Sequence, residues 1–247
     1  MKIIDCFNYF DEDLILDIRL TTLFNYVDKF IICEATLDHA GNKKKLNFDI
    51  KKFRKYEKKI KYIVIDDLPK VVKKFKKHWH TAHARDQFQR NALMRGISDC
   101  SDDDLIMISD LDEIPNPKKI EKFKPSMRYA VFKQLHFYYK LNLQSEINPY
   151  WFGSRICVKK YLKSPQWLRD LKFKKRGFWR IDKYRLNNIL ENGGWHFCNL
   201  KKPEDLLYKY KNLCETNDPY HFKEKIDEKY LNLDKIKEMM NQEKDIL

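Results

Sequence analysis

A short, entirely apolar segment followed at once by acidic residues is the feature that most constrains the fold of this chain. Residues Leu105–Ile108 read Leu-Ile-Met-Ile and carry no polar side chain. A brief apolar run bounded by polar residues is typical of a strand that is buried on both faces, as in the middle of a parallel sheet covered by helices. We therefore predict a buried central strand with acidic residues at its carboxyl end.

The acidic segment, residues 109–115, reads Ser-Asp-Leu-Asp-Glu-Ile-Pro. Side chains alternate along an extended chain, so we expect Asp110 and Asp112 to project to one side, with Glu113 as a third carboxylate close by. Carboxylate oxygens are preferred ligands of hard divalent cations, and open α/β sheets bind ligands at the carboxyl edge of their strands. Two aspartates in a turn can also merely cap a helix and contact water. We favour a ligand site because the pair follows a buried strand.

The rest of the chain alternates strand-like and helix-like segments, which predicts an α/β fold with a mostly parallel central sheet flanked by helices. The predicted strands are Ile3–Phe10, Lys29–Cys33, Tyr62–Ile65, Leu105–Ile108, Tyr129–Tyr139, Trp151–Val158 and a short strand after Gly193-Gly194. The predicted helices are a segment with an apolar stripe from Leu16 to Val27, Asp49–Lys61, Ala84–Ile97, a helix from Asn116 to about Phe123, and C-terminal lysine-rich helices at Pro203–Asn212 and Glu224–Glu243.

Three further polar residues are predicted to lie near the same sheet edge. Glu34 ends the second strand and either caps a turn or contacts a nucleotide or substrate. Arg85 and Gln89 fall on one stripe of the helix Ala84–Ile97 and should point inward, where an unpaired guanidinium is costly. A structural salt bridge or a phosphate or sugar ligand would satisfy Arg85. We favour the ligand, because a planar guanidinium donates in pairs to phosphate.

His196 lies in the segment Gly193–Phe197, where two glycines permit a close approach of the backbone to a ligand. A neutral imidazole is a good ligand for Mn²⁺ or Zn²⁺, and a protonated one would pair with a diphosphate. A core histidine with one backbone partner explains the same residue. The residues alone leave both interpretations open.

Composition limits the classes of protein that this chain can belong to. Its 247 residues, 43% of them hydrophobic, suffice for one globular domain, and the N-terminus leaves no room for a signal peptide, so the expected location is cytoplasmic. The net charge of +14 comes mostly from scattered lysines, which predicts a solvated surface and no nucleic-acid partner. The basic run Lys70–Lys77 allows at most peripheral membrane contact. The six cysteines lack a Cys-x-x-Cys pair and are predicted to be buried, reduced thiols.

These segments together resemble glycosyltransferase family 17. The resemblance is carried by Arg85–Leu93 (Arg-Asp-Gln-Phe-Gln-Arg-Asn-Ala-Leu), Ile108–Pro115 and Gly193–Phe197, and by shorter matches at Asp5-Cys6-Phe7, Glu12, Arg19, Val27–Phe30 with Glu34, and Gly41.

The resemblance implies a GT-A-like nucleotide-diphosphosugar transferase fold, with Mn²⁺ or Mg²⁺ held at Asp110-Leu111-Asp112. It implies inverting transfer of a sugar such as N-acetylglucosamine from a UDP-sugar donor to a saccharide or glycolipid acceptor. A late histidine recurs at the metal of GT-A enzymes, which favours His196 as a third ligand. The expected roles are catalysis by Asp112 and Glu113, donor binding by Glu34, Arg85, Gln89 and Asp110, and metal binding by Asp110, Asp112 and His196.

The expected organisation is a single domain, with residues 1–125 binding the nucleotide-sugar, residues 126–200 completing the acceptor and metal site, and residues 201–247 forming C-terminal helices. Two alternatives stay open. A sugar-nucleotide nucleotidyltransferase would also need an acidic metal site on an α/β sheet. A basic nucleic-acid-binding protein would explain the positive charge without using the carboxylates.

Overall fold

A computed structural model of the chain describes residues 1–69, 81–172, 188–212 and 232–242. It has the predicted α/β architecture, with a mixed, mostly parallel central sheet of seven strands and a second sheet of four strands. No helix in these four ranges is both long enough and apolar enough to cross a membrane. The basic run Lys70–Lys77 and Cys214 lie outside the described residues, as do residues 224–231 and Glu243 of the predicted helix Glu224–Glu243.

The elements are numbered in chain order. The strands are β1 (Ile3–Asn8), β2 (Lys29–Ala35), β3 (Ile60–Ile65), β4 (Leu105–Ser109), β5 (Glu113–Pro115), β6 (Tyr129–Phe132), β7 (Gln134–Tyr138), β8 (Tyr150–Trp151), β9 (Arg155–Val158), β10 (Ile189–Leu190) and β11 (Gly194–Cys198). The α-helices are α1 (Asp13–Leu23), α2 (Thr81–Ala92), α3 (Pro117–Ile120), α4 (Pro165–Asp170), α5 (Pro203–Asn212) and α6 (Leu233–Gln242).

The central sheet has the strand order β10-β6-β9-β4-β1-β2-β3. β1 pairs in parallel with β2 and β4, whereas β9 is antiparallel to both β4 and β6. Every residue of β4 is buried, and alternate residues belong to different apolar clusters: Leu105 and Met107 to one, Ile106 and Ile108 to the other. The prediction of a strand buried on both faces is therefore confirmed.

The second sheet, of order β5-β11-β7-β8, begins where the chain leaves β4. β11 is antiparallel to β5 and parallel to β7, in a register that places His196 beside Glu113 on one side and His136 on the other. Gly194 has φ +126°, and a Cβ there would lie 2.1 Å from the Ile114 carbonyl oxygen. Glycine is therefore required for β11 to reach the acidic segment.

The prediction of single long strands over Tyr129–Tyr139 and Trp151–Val158 is wrong. Each segment forms two strands, one in the central sheet and one in the second sheet, so the chain passes from one sheet to the other twice. At Lys133, between β6 and β7, the backbone N–H donates to Leu190 and the carbonyl accepts from Gly193. These bonds to the turn before β11 redirect the chain, and apolar periodicity does not report them.

Two predicted helices also differ in detail. Ile50–Lys59 is a 3₁₀ helix, capped by the Asp49 carboxylate, and β3 begins directly after it. The predicted helix Ala84–Ile97 corresponds to α2, which starts earlier and tightens into a 3₁₀ turn at Leu93–Gly96. A Cβ on Gly96 would lie 2.2 Å from the Ile31 side chain, so this turn packs directly on β2. The helix start at Asn116 is confirmed, because its side chain accepts from the Lys118 N–H.

Candidate functional site

A cavity of about 280 Å³ opens at the carboxyl edge of β1, β2 and β4. Its wall is built from residues that follow these strands, from one side of α2 and the acidic segment, and from single residues of distant segments, among them Trp151, His196 and Lys209. The prediction that the acidic residues lie at a strand end is confirmed. This edge is where α/β sheets commonly bind ligands.

Arg19, fully buried in α1, fixes the acidic turn. Its Nε and Nη2 donate to the two carboxylate oxygens of Asp5 at 2.8 and 2.7 Å. Its Nη1 donates to the carbonyl oxygens of Asp110, Leu111 and Glu113 at 3.1, 3.1 and 2.8 Å. A buried charged pair that also satisfies three backbone acceptors defines the conformation of the turn.

Asp110 lies between two arginines. Its Oδ1 accepts from Arg90 Nη2 at 3.2 Å and its Oδ2 from Arg169 Nη2 at 2.7 Å. Burial alone would raise the pKa of Asp110, but the charges of Arg169 and Arg90 outweigh it and hold the pKa well below the usual range. Asp110 is therefore an anion, and each of its oxygens already has a cationic partner.

Asp112 faces His196. The distance from Asp112 Oδ1 to His196 Nε2 is 3.6 Å, and the Phe197 N–H donates to the Asp112 carbonyl oxygen at 2.9 Å. Burial opposes both charges, but attraction between the two groups lowers the pKa of Asp112 and raises that of His196, and Lys209 further lowers the pKa of Asp112. The predicted proximity of His196 to the acidic pair is present in the structure.

Glu113 has different surroundings. Its side chain is 1% exposed, and it accepts from Trp151 Nε1 at 2.6 Å, from the Asp110 N–H at 3.0 Å and from both Nη atoms of Arg169 at 2.5 and 2.9 Å. A Cβ on Gly153 would lie 1.7 Å from Glu113 Oε1, so the glycine is needed for this packing. These contacts hold the acidic turn together, and the catalytic role expected for Glu113 stays a prediction.

Aromatic rings cover the His196 side of the site. The His196 ring stacks on His136 at 4.6 Å and 13° and on Trp151 at 4.8 Å and 29°. Three potential metal ligands lie close together here: one ring nitrogen each of His136 and His196 and the Sγ of Cys198 are within 4.8 Å of one another. A metal lies in the plane of each imidazole that binds it, so two nearly parallel stacked rings are poorly arranged to share one ion. His196 is thus better placed to act together with Asp112 than with His136.

Glu34 lies within β2 and is completely buried. It accepts from Lys44 Nζ at 2.5 Å, from the N–H groups of Asn47 and Phe48 at 2.8 and 3.0 Å, and from Tyr62 Oη at 2.8 Å. These partners are the ends of the loop after β2 and a side chain of β3. The structure therefore matches the turn-capping alternative, and Glu34 positions the loop that borders the cavity.

Arg85 and Gln89 are buried, as predicted for the inward stripe of α2. Arg85 Nε donates to the Pro69 carbonyl and Nη1 to the His39 carbonyl, each at 3.0 Å, and a Cβ on Gly41 would lie 2.6 Å from its guanidinium. Arg85 thus donates to backbone carbonyl oxygens. The sequence did not suggest these groups as its partners. Gln89 lines the cavity and its Oε1 lies 3.2 Å from His39 Nε2.

Sequence reasoning missed two cavity residues on α2, Asp86 and Arg90. Arg90 Nη1 and Nη2 donate to the Asp86 carboxylate at 2.9 and 3.1 Å, and Nη1 also contacts Gln166. The signal was available, since Asp86 and Arg90 are four residues apart and face the same way on a helix.

The site contains side chains of the chemical types that bind divalent cations, although the only group of three such side chains whose ligand atoms lie close together in the described residues is His136, His196 and Cys198. Asp110, Asp112 and His196 offer carboxylate oxygens and an imidazole nitrogen, a set that Mn²⁺ accepts and of which Mg²⁺ prefers the oxygens. In the structure Asp112 has no arginine partner among the described residues, whereas each carboxylate oxygen of Asp110 is bound by an arginine.

The model of the family described as glycosyltransferase family 17 matches residues 1–247, the whole chain. No curated protein sequence matches the chain significantly.

Proposed function

The chain belongs to glycosyltransferase family 17 and is a glycosyltransferase, and from this premise we propose that the cavity binds a UDP-sugar and that the enzyme transfers the sugar with inversion. N-acetylglucosamine is the sugar that the family favours, and a saccharide or glycolipid is the proposed acceptor. The observation that carries the proposal is the pairing of Asp112 with His196 beside Asp110, at the carboxyl edge of a mostly parallel sheet.

We further propose that Mn²⁺ or Mg²⁺ is the cofactor, held by Asp110, Asp112 and His196. When bound, such an ion would neutralise the charge that develops on the departing nucleoside diphosphate. The fold that we propose is GT-A-like. Support for it comes from the two sheets: the parallel strands present the acidic turn, and β11 returns His196 to that turn from far along the chain.

The protein side chains contribute binding and orientation. Arg19 holds the acidic turn through its carbonyls, so the two aspartates keep a fixed spacing. Lys209 and Arg90 place positive charge on the cavity wall, where a diphosphate would be attracted. Trp151 is 38% exposed and its indole is fixed by Glu113, so it offers a rigid apolar surface on which a sugar ring can pack.

The test is substitution of Asp112 by asparagine, which removes a charged ligand without changing the shape of the side chain. We expect a loss of metal-dependent hydrolysis or transfer of UDP-sugars of about a hundredfold, the upper end of what a disturbed metal site loses, in a variant that is still folded at the assay temperature. Asp102→Asn, at a side chain that is 79% exposed, is the matched control. Full activity of Asp112→Asn at limiting Mn²⁺ would contradict the assignment of the metal site.

The two alternatives considered for the sequence gain no support from the family match. A nucleotidyltransferase would join a sugar phosphate to a nucleotide and release diphosphate, whereas the proposed reaction releases UDP. A nucleic-acid-binding protein would bind DNA or RNA with steep salt dependence, and the same affinity in the wild type and in Asp112→Asn. Product identification and binding at two salt concentrations separate the three.

A further inference from the structure

Arg90 is a cavity residue whose surroundings indicate that it can bind a ligand. Its side chain is 12% exposed, and it lies on the cavity wall. Asp86, one helical turn earlier, binds both of its Nη atoms and so fixes the plane of the guanidinium. Its Nε is buried and has no hydrogen-bond partner among the described residues. The guanidinium is thus oriented by Asp86 and by Gln166, which also accepts from Nη1, and its Nε is the donor that has no acceptor in the described part of the chain.

The second carboxylate that binds Arg90 is Asp110, which the proposed function assigns to a divalent cation. The contact is made by Nη2 alone, at 3.2 Å, and is longer than the 2.7 Å contact of Asp110 with Arg169. A carboxylate that turns toward a cation weakens its bond to Arg90. Arg90 would keep the orientation that Asp86 gives it, and its Nη2 and Nε would be left with N–H groups that can donate to a new acceptor.

Charge balance favours a diphosphate as that anion. Around the acidic turn, Asp86, Asp110, Asp112 and Glu113 face Arg90, Arg169, Lys209 and His196, so the acidic and basic groups of this cluster nearly cancel when no ligand is bound. Glu12 and Asp38, elsewhere on the cavity wall, contact Lys201 and backbone N–H groups. A divalent cation adds positive charge to a nearly neutral, partly buried site, which is unfavourable unless an anion accompanies it. Guanidinium groups bind phosphate oxygens in pairs, in a geometry that an ammonium cannot match.

We propose that Arg90 binds the diphosphate of the donor, and that Asp110 occupies Arg90 until a divalent cation engages Asp110. This inference rests on the proposed function. Arg169 is less suited to the role, because it keeps both Nη contacts with the buried Glu113 and does not line the cavity. The exchange of partners makes binding of the cation and of the diphosphate mutually dependent.

The experiment measures binding of UDP and of inorganic diphosphate by calorimetry in the presence of a chelator, so that no divalent cation takes part. Asp110→Asn releases Arg90, and we expect it to bind both anions about tenfold more tightly than the wild type, the value of one charge-assisted hydrogen bond. Asp112→Asn removes the same charge two residues away without freeing an arginine. Because it still removes a negative neighbour of Lys209 and His196, we expect a gain, but one clearly smaller than that of Asp110→Asn.

The decisive variant is Arg90→Lys in the Asp110→Asn background, because it keeps the charge and loses the paired donors. We expect it to lose most of the gain. No gain in Asp110→Asn, an equal gain in Asp112→Asn, or full retention of the gain by the lysine variant would each overturn the proposal. Melting temperatures show which variants are folded. If the Arg90→Lys variant does not fold, Arg90→Gln in the Asp110→Asn background replaces it in the binding experiment.

A separate arm keeps the two proposals distinguishable. Wild-type protein is titrated with UDP in the presence of Mn²⁺. Failure to bind there contradicts the proposed function, whatever the variants do in chelator. Binding there without the gain in Asp110→Asn contradicts only the role of Arg90.

Discussion

Three carboxylates within four residues of sequence have three different environments in this protein. Asp110 is neutralised by arginines, Asp112 faces a histidine, and Glu113 is buried under an indole and a guanidinium. Sequence correctly placed all three at a strand end. It could not separate their roles, because the partners that distinguish them, such as Trp151 and Arg169, come from segments whose position depends on the whole fold.

At Glu113 we predict a stability effect. Glu113→Gln would remove the charge that pairs with Arg169 and turn amide hydrogens toward groups that are themselves donors. Breaking one side of a buried ion pair costs about 3 kcal/mol in unfolding free energy. Urea denaturation of the variant, compared with Glu191→Gln at a side chain that is 62% exposed, measures this. Unchanged stability combined with lost turnover would support the catalytic role that the sequence suggested.

The pair of Asp112 and His196 makes stability depend on pH. Burial opposes the charge of His196, but Asp112 outweighs it and raises the pKa above 6.5, so the folded protein binds this proton more tightly than the unfolded chain does. The resulting stabilisation is fully present below the unfolded pKa of about 6.5 and is lost as pH rises through the folded pKa.

We therefore predict that His196→Gln is most destabilising near pH 6 and progressively less so toward pH 9. Unfolding free energies of wild type and variant across this range measure the effect. In an Asp112→Asn background the destabilisation caused by His196→Gln should no longer fall with pH. A destabilisation that is constant from pH 6 to pH 9 in the wild-type background would show that His196 is not charged by its neighbour.

At the scale of elements, the strands with unbroken apolar runs were the most predictable. β4 and residues 30–33 of β2 are buried on both faces, so their sequences are apolar regardless of side-chain direction. β1 is interrupted by Asp5, which is buried only because Arg19 pairs with it. The prediction of single strands failed where one apolar segment contributes a strand to each of the two sheets, at β6–β7 and at β8–β9. At the first of these passages Lys133 is fixed by contacts with the turn before β11, which is distant along the chain. Local pattern carries no information on such contacts.

The element that most needs support is the turn between β4 and β5, and we predict that Arg19 supplies it. Arg19→Met would leave Asp5 buried without a partner and remove the donor to three carbonyls, at a cost of about 4 kcal/mol in unfolding free energy. Adding Asp5→Asn should restore part of the stability, because the uncompensated charge is then gone. Turnover should stay low in the double variant, since the carbonyls of the turn still lack their donor. Recovery of both together would show that Arg19 acts on stability alone.

At the scale of the whole molecule, the cavity collects side chains from nearly the full length of the chain, from Asn8 to Lys209. Sequence predicted the contribution of the acidic turn, of one stripe of α2 and of His196. It missed Lys209, because a lysine in a lysine-rich helix is indistinguishable from its solvated neighbours. Only the docking of α5 sets it apart: Tyr208 stacks on Phe10, and Leu206, Tyr210 and Ile236 form a small apolar cluster.

We predict that Lys209, in α5, strengthens binding of the nucleotide. Lys209 donates to Asn199 at 3.2 Å and faces the acidic groups of the cavity, which raise its pKa although burial lowers it. Lys209→Met keeps the apolar stem and removes the charge, so we expect affinity for UDP with Mn²⁺ to fall about fivefold, as for loss of a partly screened charge contact. Lys211→Met, on the exposed side of the same helix, is the matched control and should bind like the wild type. Calorimetry of both variants at low and high salt gives the comparison. If Lys209→Met and Lys211→Met bind UDP with equal affinity, α5 closes the cavity without taking part in binding. If only Lys209→Met binds more weakly, and the difference shrinks at high salt, α5 is part of the donor site.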